Sequence, residues 1–178
     1  MFKKYRLLKW ISLFVLFLLA VTVSFVFWLR SVLPPIDHSL EATMVKDIPP
    51  EFWQGINEFN QREFYACHDT LEAIWMEAGE PEKRFYQGIL QIAVSLYHLS
   101  NDNWQGAVIL MGEGISRLGY YQPSYFDINV DKLVTETATL LKALQESGKE
   151  NVQDFREGLE NHKTGILPTI EILDTTSL

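Results

Sequence analysis

Twenty consecutive residues near the N-terminus carry no charge, and this run constrains the chain more than any other feature. It extends from Trp10 to Leu29 and consists mostly of leucine, valine, phenylalanine and isoleucine. A helix rising about 1.5 Å per residue would make the run roughly 30 Å long, which matches the hydrocarbon thickness of a bilayer. Trp10 and Trp28 lie near its two ends, where indole rings favour the headgroup level. The run therefore predicts a single transmembrane helix.

A cleaved signal peptide is the main alternative to a membrane anchor. The apolar core of such a peptide spans about 7–15 residues and is followed by a cleavage site with small residues. The run in this chain is longer, and it ends in Phe27-Trp28-Leu29-Arg30 without such a site. A buried core helix is a second alternative, but core helices seldom adjoin a basic cluster. We therefore predict an uncleaved anchor.

The charges beside the run predict its direction. Lys3, Lys4, Arg6 and Lys9 precede the run, whereas Arg30 alone follows it closely. Because positively charged flanks stay on the cytoplasmic side, we expect a single-pass membrane protein whose N-terminus is cytoplasmic. The C-terminal domain would then lie on the trans side, which is the periplasm or its equivalent.

The remaining chain is strongly acidic. Residues 31–178 contain all 23 acidic residues but only 10 of the 15 lysines and arginines, which is a net charge of −13. Nucleic-acid binding requires basic patches that neutralise phosphates, so we expect no nucleic-acid partner. The expected partners are the membrane, through residues 10–29, and a membrane protein contacted by exposed aromatics such as Trp53 or Tyr120-Tyr121-Gln122.

Composition and periodicity divide the chain into four parts. These are the cytoplasmic N-terminus with the anchor (1–30), a linker stiffened by Pro34-Pro35 (31–48), a helical bundle (49–165) and a loosely ordered tail (166–178). Apolar residues of the third part recur at the i, i+3, i+4, i+7 spacing of helices, and no strand pattern competes. The predicted fold is all-α, with a single transmembrane helix followed by a compact bundle of about five to six helices.

The bundle helices are predicted from this spacing and from glycine and proline. The first begins at Pro49-Pro50, and the others cover about 61–78, 82–99, 104–118, 130–145 and, more weakly, 151–161, with a loop over 123–129. The helix over 82–99 is apolar nearly all round, which predicts a central position. Gly112 and Gly114 lie inside a helix, where close helix packing explains them better than phosphate binding.

Polar side chains recur on faces that two of these helices are expected to turn inward. His68 and Glu72 are four residues apart on the second helix, and Gln87, Gln91 and His98 form one stripe on the third. Buried polar groups cost several kcal/mol unless they find partners. The set therefore predicts a structural hydrogen-bond network, a metal site, or a pocket for a small molecule or peptide between these helices. The residues alone leave all three open.

The metal alternative uses His68, Glu72 and His98. Two imidazoles and a carboxylate are suitable ligands for a divalent ion such as zinc, manganese or iron. With an open coordination position, bound water would become a nucleophile, and Asp69 and Glu63 are the candidates for its base. The sole cysteine, Cys67, is more simply explained as a buried helical thiol than as a nucleophile.

Three stretches resemble the domain-of-unknown-function family numbered 309. They read EFYACHDTLEAIW, FYQGILQIAVSLYH and NWQGAVILMGEGISRL, and the resemblance covers roughly residues 50–145. The resemblance implies a small helical bundle. Some family members are labelled predicted metal-dependent hydrolases, which implies His68, Glu72 and His98 as metal ligands. The alternative is a non-enzymatic interaction module, because the hairpin over 85–118 looks like a tetratricopeptide helix pair.

Overall fold

The computed structural model of the protein describes residues 48–161 and 167–173. Six α-helices make up most of this part: α1 (Pro50–Asn60), α2 (Phe64–Glu77), α3 (Glu82–Ser100), α4 (Trp104–Leu118), α5 (Val130–Ser147) and α6 (Val152–Glu160). A short antiparallel hairpin, β1 (Ser124–Tyr125) and β2 (Ile128–Asn129), lies within the segment predicted as a loop. The predicted all-α bundle of about five to six helices is confirmed for the described residues.

The predicted single-pass membrane localisation requires correction. In the part of the chain that the structure describes, no helix is long and apolar enough to cross a bilayer. The longest helix among the described residues, α3, has 19 residues, but its first turn contains Glu82, Lys83 and Arg84. The run 10–29, on which the prediction rested, lies outside the described residues. The predicted membrane localisation is therefore wrong for the part of the chain that the structure describes.

Helix α3 lies at the centre of the bundle, as its apolar sequence predicts. It packs against α2 and α4, and 11 of its residues are buried. The contact with α4 is so close that a Cβ atom added at Gly114 would lie 2.9 Å from the carbonyl oxygen of Gly88. A Cβ atom at Gly112 would meet nothing within 4 Å. Close packing therefore explains Gly114 but not Gly112.

Aromatic rings fill the core where α1 and α3 meet the hairpin. Phe52 and Phe85 are fully buried, and their ring centroids lie 6.0 Å apart. Tyr125 and Phe126 place their ring centroids 4.8 Å and 5.8 Å from that of Phe85. The hairpin thus contributes side chains to the helical core.

Residues 167–173 lie against the bundle, although the sequence predicts a loosely ordered tail from residue 166. The Asn60 side chain donates to the carbonyl of Ile170 and accepts from its N–H, both at 2.8 Å. The backbone N–H of Asn129 also donates to the carbonyl of Glu171 at 2.9 Å. Contacts between such distant parts of the chain leave no local periodic pattern, which is why sequence reasoning missed them.

Cys67 is fully buried in α2, in agreement with the prediction of a buried helical thiol. Burial, assisted by the negative charge of Glu58, raises the pKa of the thiol from 9.0 to about 12. Because the thiolate is the reactive form, the folded protein holds this cysteine in an unreactive state.

We expect iodoacetamide to modify Cys67 at mildly alkaline pH only after the chain unfolds. The same pKa difference makes stability depend on pH, because the unfolded chain loses the thiol proton near pH 9 while the folded chain retains it. The protonated Cys67 thiol therefore contributes its full share of the stability below pH 9, and this share is lost as pH rises toward about 12. Mass spectrometry with and without denaturant measures the modification of Cys67 by iodoacetamide. Equal rates of modification in the folded and the denatured protein would contradict the burial of Cys67.

Candidate functional site

His68 and His98, which the sequence predicts to share a site, line the same cavity between α2 and α3. The cavity has a volume of about 160 Å³, and its walls are formed by Phe64, Tyr65, His68, Val94, Tyr97 and His98. The Tyr65 and Tyr97 rings lie 5.4 Å apart, and both side chains are exposed. Two facing helices therefore bring two imidazoles and three aromatic rings to one pocket, called here the histidine cavity.

The ring of His68 is oriented by its neighbour Asp69. The Nδ1 atom of His68 lies 3.0 Å from Oδ1 of Asp69. A carboxylate oxygen accepts hydrogen bonds, so the imidazole Nδ1–H is the donor in this pair. In a neutral ring the other nitrogen, Nε2, is then an acceptor. Asp69, a predicted base candidate, lies where it holds the imidazole in this tautomer.

The ring of His98 is oriented by Asn103, the N-cap residue of α4. The Asn103 Oδ1 atom accepts from the backbone N–H of Gly106 at 3.0 Å, and its Nδ2 atom lies 3.0 Å from His98 Nδ1. Because the amide oxygen is already committed to the helix cap, the amide nitrogen donates to His98 Nδ1. Neutral His98 therefore carries its proton on Nε2.

The two histidines thus have opposite hydrogen-bonding roles in the cavity. In the neutral rings, Nε2 of His68 is available as an acceptor, whereas Nε2–H of His98 is available as a donor. Gly106 makes room for this arrangement, since a Cβ atom there would lie 2.8 Å from His98 Cδ2. Sequence reasoning predicted neither the contact between Asn103 and His98 nor the role of Gly106.

The other predicted polar residues do not line the histidine cavity. Gln91 is buried toward α4, where its Nε2 atom donates to Glu113 and its Oε1 atom accepts from Arg117 Nε at 2.8 Å. Glu72 and Gln87 are half-buried, and Glu63 is exposed immediately before α2. His98 and Gln91, which the sequence places on one stripe, therefore lie on different faces of α3.

The metal-ligand set of His68, Glu72 and His98 receives no support from this geometry. Within residues 48–161 and 167–173, no group of three or more His, Cys, Asp and Glu side chains is placed to hold a metal ion. A metal-ligating imidazole nitrogen must also be unprotonated, whereas the contact with Asn103 places a proton on His98 Nε2. Metal ligation, with Asp69 or Glu63 as a base, stays a prediction.

Residues 52–110 match the family model described as Domain of unknown function (DUF309). This segment is a DUF309 domain. It includes most of α1, all of α2 and α3, and the first part of α4, and therefore every residue of the histidine cavity. The resemblance predicted from the sequence motifs is confirmed.

A curated relative extends the similarity beyond the DUF309 segment. The Uncharacterized protein YpuF of Bacillus subtilis (strain 168) is 32% identical to this chain over 122 residues, which is 67% of this chain and 64% of the relative. The chain thus spans less than two thirds of that relative's length. No solved structure matches the chain. The name of the relative assigns no activity, so the chemistry of the pocket must support any proposal.

Proposed function

We propose that the DUF309 domain binds a small planar ligand in the histidine cavity. The observation that supports this is the pair of imidazoles from two helices, each with its Nδ1 atom engaged and its Nε2 role assigned. The volume of about 160 Å³ is sufficient for a single ring, because a cavity of about 150 Å³ accommodates benzene. Phe64, Tyr65 and Tyr97 provide the faces and edges on which an unsaturated ring packs.

The assigned tautomers specify the polar groups of this ring. His68 Nε2 can accept from a donor of the ligand, and His98 Nε2–H can donate to an acceptor of the ligand. A cyclic amide satisfies both, because its N–H group lies beside its carbonyl. The ligand class is therefore an unsaturated ring with a lactam or an equivalent donor–acceptor pair, recognised by hydrogen bonds and aromatic packing without a metal ion.

The test is a titration of the full chain with 2-pyridone, which is a planar lactam. Nitrogen-15 spectra of the histidine side chains distinguish the two tautomers and report contact with each ring. We expect His68 to carry its proton on Nδ1 and His98 on Nε2, and we expect both rings to respond to 2-pyridone. N-methyl-2-pyridone retains the carbonyl but lacks the donor, and benzene lacks both. Binding of 2-pyridone no tighter than that of benzene would refute the proposal.

Replacing Asn103 by aspartate is the sharpest variant, because it changes the hydrogen bond to His98 and retains the helix cap. The introduced carboxylate accepts from the backbone, as asparagine does, and the two residues are similar N-caps. Toward His98 it offers an acceptor in place of a donor, which moves the imidazole proton from Nε2 to Nδ1. We expect 2-pyridone affinity to fall by about tenfold, since the ligand carbonyl would lose the His98 donor and face an acceptor instead.

Controls separate this effect from a loss of folding or a metal site. Thermal unfolding of Asn103→Asp should resemble that of the wild type, whereas Asn103→Ala should lose about 1 kcal/mol because the cap is removed. Unchanged affinity in Asn103→Asp, with the His98 tautomer altered, would contradict the donor role of His98. Stoichiometric zinc binding by the wild type that disappears in His68→Ala would instead support the predicted metal site.

A further inference from the structure

A second concave surface lies along one side of α4, apart from the histidine cavity. It is a groove of about 550 Å³ formed by a stripe of α4 and the turn after it, together with Arg84 of α3. The stripe includes Ile109, Glu113, Ser116, Arg117 and Tyr120, and none of these lines the histidine cavity. This surface, called here the arginine groove, has no part in the proposed binding of a lactam ring.

Two guanidinium groups in the arginine groove lack carboxylate partners. Among the described residues, neither Arg84 nor Arg117 forms an ion pair, although the domain is strongly acidic. Arg156 behaves differently, since it pairs with Asp102 at 2.7 Å and with Glu160 at 2.9 Å. The guanidinium of Arg84 instead lies 5.7 Å from the centre of the Tyr120 ring. Two guanidinium groups without an ion pair among the described residues therefore line one groove of an acidic protein.

The buried amide of Gln91 keeps the charge of Arg117 available. Glu113 and Arg117 are four residues apart on α4, a spacing at which opposite charges commonly pair. Gln91 bridges them instead: its amide nitrogen donates to Glu113, and its amide oxygen accepts from Arg117 Nε at 2.8 Å. This contact orients the guanidinium through one nitrogen. The Nη1 and Nη2 groups of Arg117 have no hydrogen-bond acceptor among the described residues.

We propose that the arginine groove binds a small organic anion. Arg84 and Arg117 would hold a carboxylate or phosphate group, for which paired guanidinium donors have the appropriate geometry and charge. Ile109 and Tyr120 are 50% and 78% exposed and offer apolar surface for the body of the ligand. A volume of about 550 Å³ lies within the range of small-molecule sites.

Glu113 provides a further test of the proposal, because its negative charge repels a bound anion. The carboxylate lines the same groove as the two arginines. Removing this charge while retaining the side-chain shape should therefore tighten anion binding, whereas removing either arginine charge should weaken it. A merely hydrophobic groove would not respond with opposite signs to these substitutions.

Phenyl phosphate is the probe, and amide NMR spectra of the full chain are the measurement. We expect phenyl phosphate to shift the amide signals of Gly112 and Ser116 and its affinity to fall as salt is raised. Benzyl alcohol, which has a ring without the anion, should leave these signals unchanged, and inorganic phosphate should bind more weakly than phenyl phosphate. Arg84→Gln and Arg117→Gln should each weaken binding by about tenfold, because each removes charged hydrogen bonds.

Three substitutions ensure that the proposal is tested even if one variant unfolds. Arg117→Gln removes the contact with Gln91, so its folding is checked by circular dichroism. Arg84→Gln and Glu113→Gln alter exposed residues, and Glu113→Gln should increase the affinity for phenyl phosphate. The proposal is overturned if phenyl phosphate leaves Gly112 and Ser116 unshifted, or if Arg84→Gln and Glu113→Gln bind it as the wild type does.

Discussion

Replacing Phe85 by alanine is expected to lower the free energy of unfolding by about 3–5 kcal/mol. The Phe85 side chain is fully buried, and its ring centroid lies 4.8 Å from that of Tyr125 and 5.1 Å from that of Tyr121. Truncation would leave a cavity between α1, α3 and the hairpin. Because these neighbours are themselves aromatic and held by several elements, the site cannot collapse to fill the space.

The loss should be a large part of the total stability, since single domains are stable by only about 5–15 kcal/mol. Urea unfolding followed by far-ultraviolet circular dichroism provides the measurement. Phe85→Leu, which retains most of the volume, should lose much less than the alanine variant. Tyr120→Ala is the surface control, because this side chain is 78% exposed. Similar losses for Phe85→Ala and Tyr120→Ala would contradict the aromatic core described above.

Replacing Gly114 by alanine is the second substitution with a large expected effect. The added Cβ atom would lie 2.7 Å from Ile92 Cγ1 and 2.9 Å from the carbonyl oxygen of Gly88. The backbone of α3 cannot yield without separating α3 from α4. Overpacking of this kind costs about 1–3 kcal/mol. We expect a net loss of about 1–2 kcal/mol, toward the upper end of this range because the clash involves backbone, after the better helix propensity of alanine, worth about 1 kcal/mol, is included.

Gly112→Ala is the matched control because it places the same methyl group two residues away on the same helix. Nothing lies within 4 Å of a Cβ atom at Gly112. Only the helix propensity then changes, so this variant should gain about 0.5–1 kcal/mol of stability. The two substitutions should therefore change the urea midpoint in opposite directions. A shift of the same sign in both would contradict the close α3–α4 contact.

The site was only partly predictable because α3 is buried on more than one side. Helical spacing specifies which residues of each helix lie on one face, and the structure has His68 and His98 lining one cavity. The same spacing also assigns Gln91 to that site. A helix that is apolar nearly all round has no single inward face, so sequence alone could not decide whether Gln91 meets α2 or α4.

The arginine groove shows a second feature that local sequence spacing could not predict. The sequence shows Glu113 and Arg117 at a spacing that favours a direct ion pair. The fold inserts the amide of Gln91 between them, from a helix 26 residues earlier in the chain than Arg117. Whether two charges on one helix form an ion pair depends on the side chains that a neighbouring helix places beside them. The spacing of the two charges in the sequence does not identify those side chains.

By itself, the sequence determined the helices, the central position of α3 and the family motifs, because helical periodicity and turn residues act over a few neighbouring positions. Only the tertiary structure decided how the polar side chains are used. The hydrogen bonds of Asp69 and Asn103 fix opposite roles for His68 and His98, and Asn60 binds a segment 110 residues later. Hydrogen-bonding roles depend on three-dimensional neighbours, whereas helix formation is specified by the adjacent chain.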